Sequence, residues 1–153
     1  EKYSLASSVD RNGRRLIAVG SGFDTKSDRS RESSKLIKWG LTNFDLVKVT
    51  QSDTPIEDVE VWLGKKNTVK TYVNKDIYKV INKGRKSLLK VTLKYNGPIH
   101  APIKKGDVIG KLNLSYKGEF IEEYDLLAFE DVKKLNIFSR LMKSINFLIW
   151  GDV

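Results

Sequence analysis

Alternation of apolar and polar positions opens the chain. Tyr3, Leu5 and Val9, then Leu16, Ile17 and Val19, supply β-favouring groups over residues 3–9 and 15–20. Between them Asp10-Arg11-Asn12-Gly13 carries the Asn-Gly pair that suits positive φ, so the two runs predict a β-hairpin. Gly20-Ser21-Gly22 is expected to break the second strand, and the polar residues 24–31 read as a loop. Leu36, Ile37, Leu41 and Phe44, with Trp39 beside them, recur at helical spacing and predict a helix over 28–44, with Gly40 near its end. Residues 50–55, Thr-Gln-Ser-Asp-Thr-Pro, read as a linker. From Ile56 onward the period is two. Val59, Val61 and Leu63, then Val69, Thr71 and Val73, then 77–81, 88–95, 108–116 and 120–129 form short strand-like runs punctuated by Gly, Asn and Pro. That spacing predicts a small all-β sandwich or barrel. At the end the period lengthens. Val132, Leu135, Phe138, Leu141, Met142, Ile145, Leu148 and Ile149 follow steps of three and four, predicting an amphipathic helix within 130–153 of roughly five turns.

Composition narrows the chemistry. With 153 residues, 40% of them hydrophobic, the chain can build a packed core and is not globally disordered. Cysteine is absent, which excludes disulfides, thiolate metal sites and a cysteine nucleophile, and the lone histidine, His100, excludes any two-histidine mechanism within the chain. Lys and Arg number 28 against 19 Asp and Glu, net +9, and the excess is spread: +3 over 1–54, +5 over 55–129 and +1 over 130–153. No basic stripe with interleaved aromatics and no zinc-finger spacing is present, so nucleic acid is not expected as a partner. No run of about 18 apolar residues occurs, so no bilayer-spanning helix is expected. Glu1-Lys2-Tyr3 runs straight into a strand-like segment without a signal peptide, as in a mature or excised piece.

Candidate catalytic groups are few. His100 sits in the turn-rich stretch 96–102 without a second ligand, so a structural or solvent-facing role is expected and no metal or cofactor. Ser87-Leu88-Leu89-Lys90 matches a Ser-x-x-Lys pattern, but strand geometry over 87–95 sends an i, i+3 pair to opposite faces. Ser144-Ile145-Asn146 falls on the terminal helix, and no Lys-Thr-Gly occurs. Glu122, Glu123 and Asp125 read as a solvated edge, and Gly20-Ser21-Gly22 lacks the residues of a phosphate cradle. No catalytic residue is assigned.

The terminal segment is the strongest functional signal. An apolar stripe rich in aromatics, with basic residues off it, fits a helix lying in a bilayer interface, where apolar burial is reinforced by attraction to anionic lipid. The expected membrane-contacting residues are Leu135, Phe138, Leu141, Met142, Ile145, Leu148, Ile149 and Trp150, with Lys133, Lys134, Arg140 and Lys143. The competing reading is a core helix packed on the β module.

Several runs resemble one family. Arg15-Leu16-Ile17-Ala18-Val19, then Arg31 to Gly40 ending in Leu36-Ile37-Lys38-Trp39-Gly40, then Asn43-Phe44, resemble the end of the transpeptidase-type domain of low-molecular-mass penicillin-binding proteins, the D-alanyl-D-alanine carboxypeptidases. Ala101-Pro102-Ile103, Lys105-Gly106 and Ile109-Gly110 resemble the C-terminal β domain of that family, and the amphipathic tail resembles its membrane anchor. The resemblance implies a mostly β chain with helices in three modules. These are a hairpin-plus-helix remnant of an α/β transpeptidase-type domain (1–49), a β-sandwich stalk (56–129) after the 50–55 linker, and an anchor helix (130–153). It further implies a parent enzyme that removes the terminal D-alanine of peptidoglycan pentapeptide through an acyl-serine, at the periplasmic face of the bacterial inner membrane. The reactive Ser-x-x-Lys, Ser-x-Asn and Lys-Thr-Gly elements of that family find no counterpart here, so this chain alone is expected to be inactive. Its expected partners are anionic lipid and, through a separate N-terminal catalytic half, the pentapeptide. The alternatives are a protein-interaction module whose terminal helix docks on another protein, and a fragment that complements a separate catalytic half.

Overall fold

The computed structural model describes residues 2–151, apart from the side chains of Arg140 and Trp150. Two compact units are present. One holds the residues up to Val47 with Tyr78–Lys86, and the other holds Lys48–Ile77 with the residues from Ser87 on. The stretch 78–86, read from the sequence within the β module, therefore stands with the first unit.

In the first unit β1 (Tyr3–Arg11) and β2 (Arg14–Phe23) pair antiparallel, joined at Asn12 and Gly13 with φ of 55° and 71°. Both central residues of a two-residue hairpin loop need positive φ, which Asn and Gly adopt at least cost. Gly20-Ser21-Gly22 lies inside β2 instead of ending it, and a register shift opposite, between Tyr3 and Leu5, absorbs the irregularity. Helix α1 (Lys26–Asn43) starts two residues before the predicted helix. The reason is its cap: the Thr25 hydroxyl accepts the Asp28 backbone N–H at 3.0 Å, satisfying a donor the helix leaves open. Most of the polar run 24–31 is thus the opening of the helix and not a loop. Gly40 lets α1 approach β2, since a Cβ there would meet Leu16 Cδ2 at 2.8 Å. Arg14 closes the other end of the helix, its guanidinium donating to the carbonyls of Phe44 and, at 3.0 Å, Gly40. The strands β3 (Phe44–Thr50) and β6 (Ile77–Asn82) form a two-stranded sheet.

Asp45, on β3, accepts a hydrogen bond from Lys86 at 2.8 Å and lies 3.7 Å from Lys83. The Lys86 hydrogen bond, helped by the charges of Lys86, Lys83 and Arg14, holds its carboxyl below the ordinary 3.8. A depressed carboxylate contributes stability above its unfolded value and loses it as pH falls through the lower folded value. Thermal midpoints recorded as pH drops below 3.8 should therefore fall more steeply for the parent chain than for Asp45→Asn.

The second unit is built on a curled six-stranded sheet in the order β7 (Leu89–Lys94), β9 (Val108–Tyr116), β10 (Glu119–Ala128), β5 (Thr68–Tyr72), β4 (Asp58–Trp62), β8 (Ile99–His100). All neighbours are antiparallel except β4 and β8. The alternation seen from Ile56 onward buries one face. Val73, Ile77, Leu112, Leu114 and Leu126 form one cluster, and Val59, Val61, Val69, Ala101, Ile103, Ile109, Ala128 and Val132 form another. The expected linker is tied to this unit, because the Asp53 N–H donates to Val73 O at 3.2 Å and the Ser52 N–H to the Asp76 carboxylate at 2.7 Å.

Val132 marks the main departure from the expected helix. The segment after β10 is extended, not helical: Val132 and Ile103 exchange backbone bonds of 2.8 and 2.9 Å, and the Leu135 N–H donates to Leu63 O at 3.0 Å. Helix α2 runs only over Ile137–Trp150. An apolar pair three apart, Val132 and Leu135, fits either conformation, and the open backbone groups of residues 63–65 and 103 select the extended one.

Candidate functional site

Helix α2 is the chain's most exposed apolar element. Asn136, extended at φ −60° and ψ 155°, precedes its first turn. Gly151 ends it in the left-handed region at φ 71°, with its N–H donating to Phe147 O at 2.9 Å. At 100° per residue, Ile137, Leu148, Leu141, Ile145, Phe138, Ile149 and Met142 fall within an arc of about 140°. That arc faces water: Ile137 is 85% exposed, Phe138 76% and Leu148 87%, and the other four are exposed as well. The opposite side of the helix meets the β unit. Lys143 Nζ donates to Asn67 Oδ1 at 2.8 Å, and the Phe147 ring packs edge-on against Trp62 with centroids 4.9 Å apart. An ordinary surface helix turns its apolar stripe to the core and its polar side out. Here the orientation is reversed, so the helix is not a core element of the β unit.

Each residue expected at this surface can now be placed. Phe138, Leu141, Met142, Ile145, Leu148 and Ile149 share the outward arc, whereas Lys143 lies on the inward side. Leu135, Lys133 and Lys134 are not on the helix: they belong to the extended segment, Leu135 half-buried and both lysines exposed. Arg140 and Trp150 lie outside the described side chains. Nothing local in the sequence marks Trp62 and Asn67 as the seat of the helix. Asn136 stands immediately before the helix, but its side chain makes no capping hydrogen bond, so no local cap fixes the start. Fourteen residues rise about 21 Å, short of a bilayer's hydrocarbon core. No helix among the described residues is long and apolar enough to cross a membrane.

The remaining candidates stay apart. His100 is exposed on β8, opposite Trp62. Ser87 lies in a short 3-10 turn (Lys83–Leu88), while Lys90 is on β7, and Ser144 is exposed on α2. Glu123 and Asp125 flank Lys111 at 3.6 and 2.8 Å, an exposed ion cluster across β9 and β10. The hydrogen bond that Lys111 donates to Asp125 is the main reason its ammonium is held above its ordinary value. No group of three or more potential metal-binding side chains gathers among the described residues.

Comparison with known proteins gives a consistent picture. Residues 44–134 match the family described as "Penicillin-binding protein 5, C-terminal domain". A D-alanyl-D-alanine carboxypeptidase DacA of Haemophilus influenzae is 36% identical over 141 residues, and that of Escherichia coli K12 is 30% identical over 147. These alignments cover 91% and 95% of this chain but 36% of each relative, so the chain spans about a third of their length. Among solved structures, penicillin binding protein 5 of Haemophilus influenzae superposes with a TM-score of 0.66 at 34% identity, covering 86% of this chain and 39% of that one. The carboxypeptidase DacD of Francisella tularensis superposes at 0.63 and 27% identity, covering 87% and 33%.

Proposed function

Since the chain belongs to the family of the penicillin-binding protein 5 C-terminal domain, found in D-alanyl-D-alanine carboxypeptidases, we propose that it is the stalk and peripheral membrane anchor of such an enzyme. The carrying observation is the reversed helix: seven apolar side chains of α2 turned to solvent while Lys143 and Phe147 hold its other side to the β unit. In water that arc is an unfavourable exposure. Laid in a headgroup region it is buried, at about 25 cal/mol for each Å² of apolar surface removed from water. The β unit then acts as a spacer between bilayer and catalytic groups. Those groups, which cleave the terminal D-alanine of peptidoglycan pentapeptide through an acyl-serine, are supplied by a catalytic part outside this sequence. Residues up to Val47 serve as its structural support, and the site of action is the periplasmic face of the inner membrane.

Vesicle flotation tests the reading. The chain should float with vesicles, more strongly as phosphatidylglycerol is raised in a phosphatidylcholine background, and a chain ending at Asn136 should stay at the bottom of the gradient. Flotation unchanged by the truncation, or absent with every composition, refutes the anchor and leaves docking on a protein groove as the better account of α2.

A further inference from the structure

The turn between β4 and β5 brings lysines from three parts of the second unit together. The Lys65 N–H donates to Lys133 O at 2.8 Å beside the antiparallel bridge of Gly64 with Lys134, so Lys65 stands directly across from Lys133. Lys143 reaches the same turn from α2 through Asn67. Both Lys65 and Lys133 are exposed. Within residues 64–67 and 130–134 and at Lys143 there are five lysines against two carboxylates. Those carboxylates are engaged: Glu130 pairs with Lys66, and Asp131 accepts the Lys105 backbone N–H at 2.7 Å. Like charges directly opposed across a bridge are destabilising. The arrangement is therefore unfavourable for the unit alone and becomes favourable when an anion lies over it.

We propose that this lysine pair of the β unit, Lys65 and Lys133, forms a second contact with the membrane, gripping the phosphate groups of anionic lipids beside the inserted helix. The proposal rests on the anchoring role of α2 and adds to it a contact made by the β4–β5 turn, an element outside the helix. Position favours lipid as the occupant. The pair lies beside the segment that leads directly into α2, and Lys143 joins turn and helix from the inward side, so a helix in the headgroup layer holds the turn just behind it, about one helix diameter (~10 Å) from the lipid-facing arc and within about a Debye length of the lipid charge. Two contacts separated in this way would also fix how the β unit stands on the surface, which a single helix lying in the plane leaves free to roll.

The test compares flotation of the full chain with that of a Lys65→Gln/Lys133→Gln variant. The vesicles are phosphatidylcholine alone or phosphatidylcholine with about a third phosphatidylglycerol. Each lysine brought to such a surface strengthens partition about fivefold, so the double variant should lose about twenty-five-fold on anionic vesicles and nothing on neutral ones. Its salt dependence should also flatten. Lys90→Gln/Lys94→Gln, an equal charge change on the opposite edge strand β7, should leave partition unchanged. The melting point of the Lys65/Lys133 variant should be no lower than the parent's, since an opposed like-charge pair is removed. Equal flotation of parent and variant, or equal losses from both lysine pairs, overturns the lysine contact while leaving the helix anchor intact. A loss confined to retention on a soluble polyanion such as heparin also overturns it. A parent chain that floats with neither vesicle removes both readings together.

Discussion

Truncation of Leu114 to alanine is expected to cost the β unit about 3 kcal/mol, the scale of a buried leucine whose surroundings cannot collapse into the gap. Leu114 is fully buried on β9, which has β7 on one side and β10 on the other. It packs in the cluster of Val73, Ile77, Leu112 and Leu126, with Leu89, Leu93 and Tyr124 around it. A central strand clamped by two ladders has little freedom to move inward, so the void stays. Amide exchange along β9 and β10 reads this unit separately from the hairpin unit, and the slowest-exchanging amides there should speed up about a hundredfold. Ile17→Ala is the matched comparison. Ile17 is 66% exposed on β2, and its truncation should change stability by less than about 0.5 kcal/mol. Equal effects at the two positions would mean that the sheet does not enclose the core described.

The largest functional effect is expected from Leu141→Asp/Ile145→Asp. These residues lie one turn apart on the outward arc of α2, both exposed, so the change leaves the packing of the β unit intact. At a bilayer it removes two apolar side chains, each worth up to about 1.5–3 kcal/mol when fully buried, and sets two carboxylates against anionic headgroups. Partition onto phosphatidylglycerol-containing vesicles should fall by at least about a hundredfold. Ser139→Asp/Asn146→Asp introduces the same charge on the other side of the helix and isolates the contribution of the face. Its loss should be severalfold, from electrostatics alone. If the two variants lose binding equally, charge and not apolar burial holds the chain to the membrane, and the reversed orientation of α2 has no functional meaning.

Much of this surface was legible beforehand, for a local reason. Phe138 through Ile149 repeat at helical spacing over a continuous stretch, and such periodicity needs no knowledge of the rest of the chain. Its direction was not legible. Period alone names an apolar face without saying whether that face turns inward or outward. The answer came from Phe147 on Trp62 and Lys143 on Asn67, pairs separated by more than 70 residues. The same limit hid the Lys65–Lys133 opposition, because nothing near either residue announces the other.

The sequence by itself determined the hairpin turn at Asn12-Gly13, the period-two strands from Val59 to Ala128 and the amphipathic character of the last fourteen helical residues. Each rests on backbone preference or side-chain alternation within a few neighbours. Tertiary structure alone decided where that last helix begins, that Val132 is a core residue, and that Tyr78–Lys86 joins the first unit. Those outcomes depend on which distant backbone groups and apolar gaps remain to be filled. Ile103 and Leu63 offered partners to the 132–135 segment, and pairing there satisfies buried polar groups that an extra helical turn would have left open.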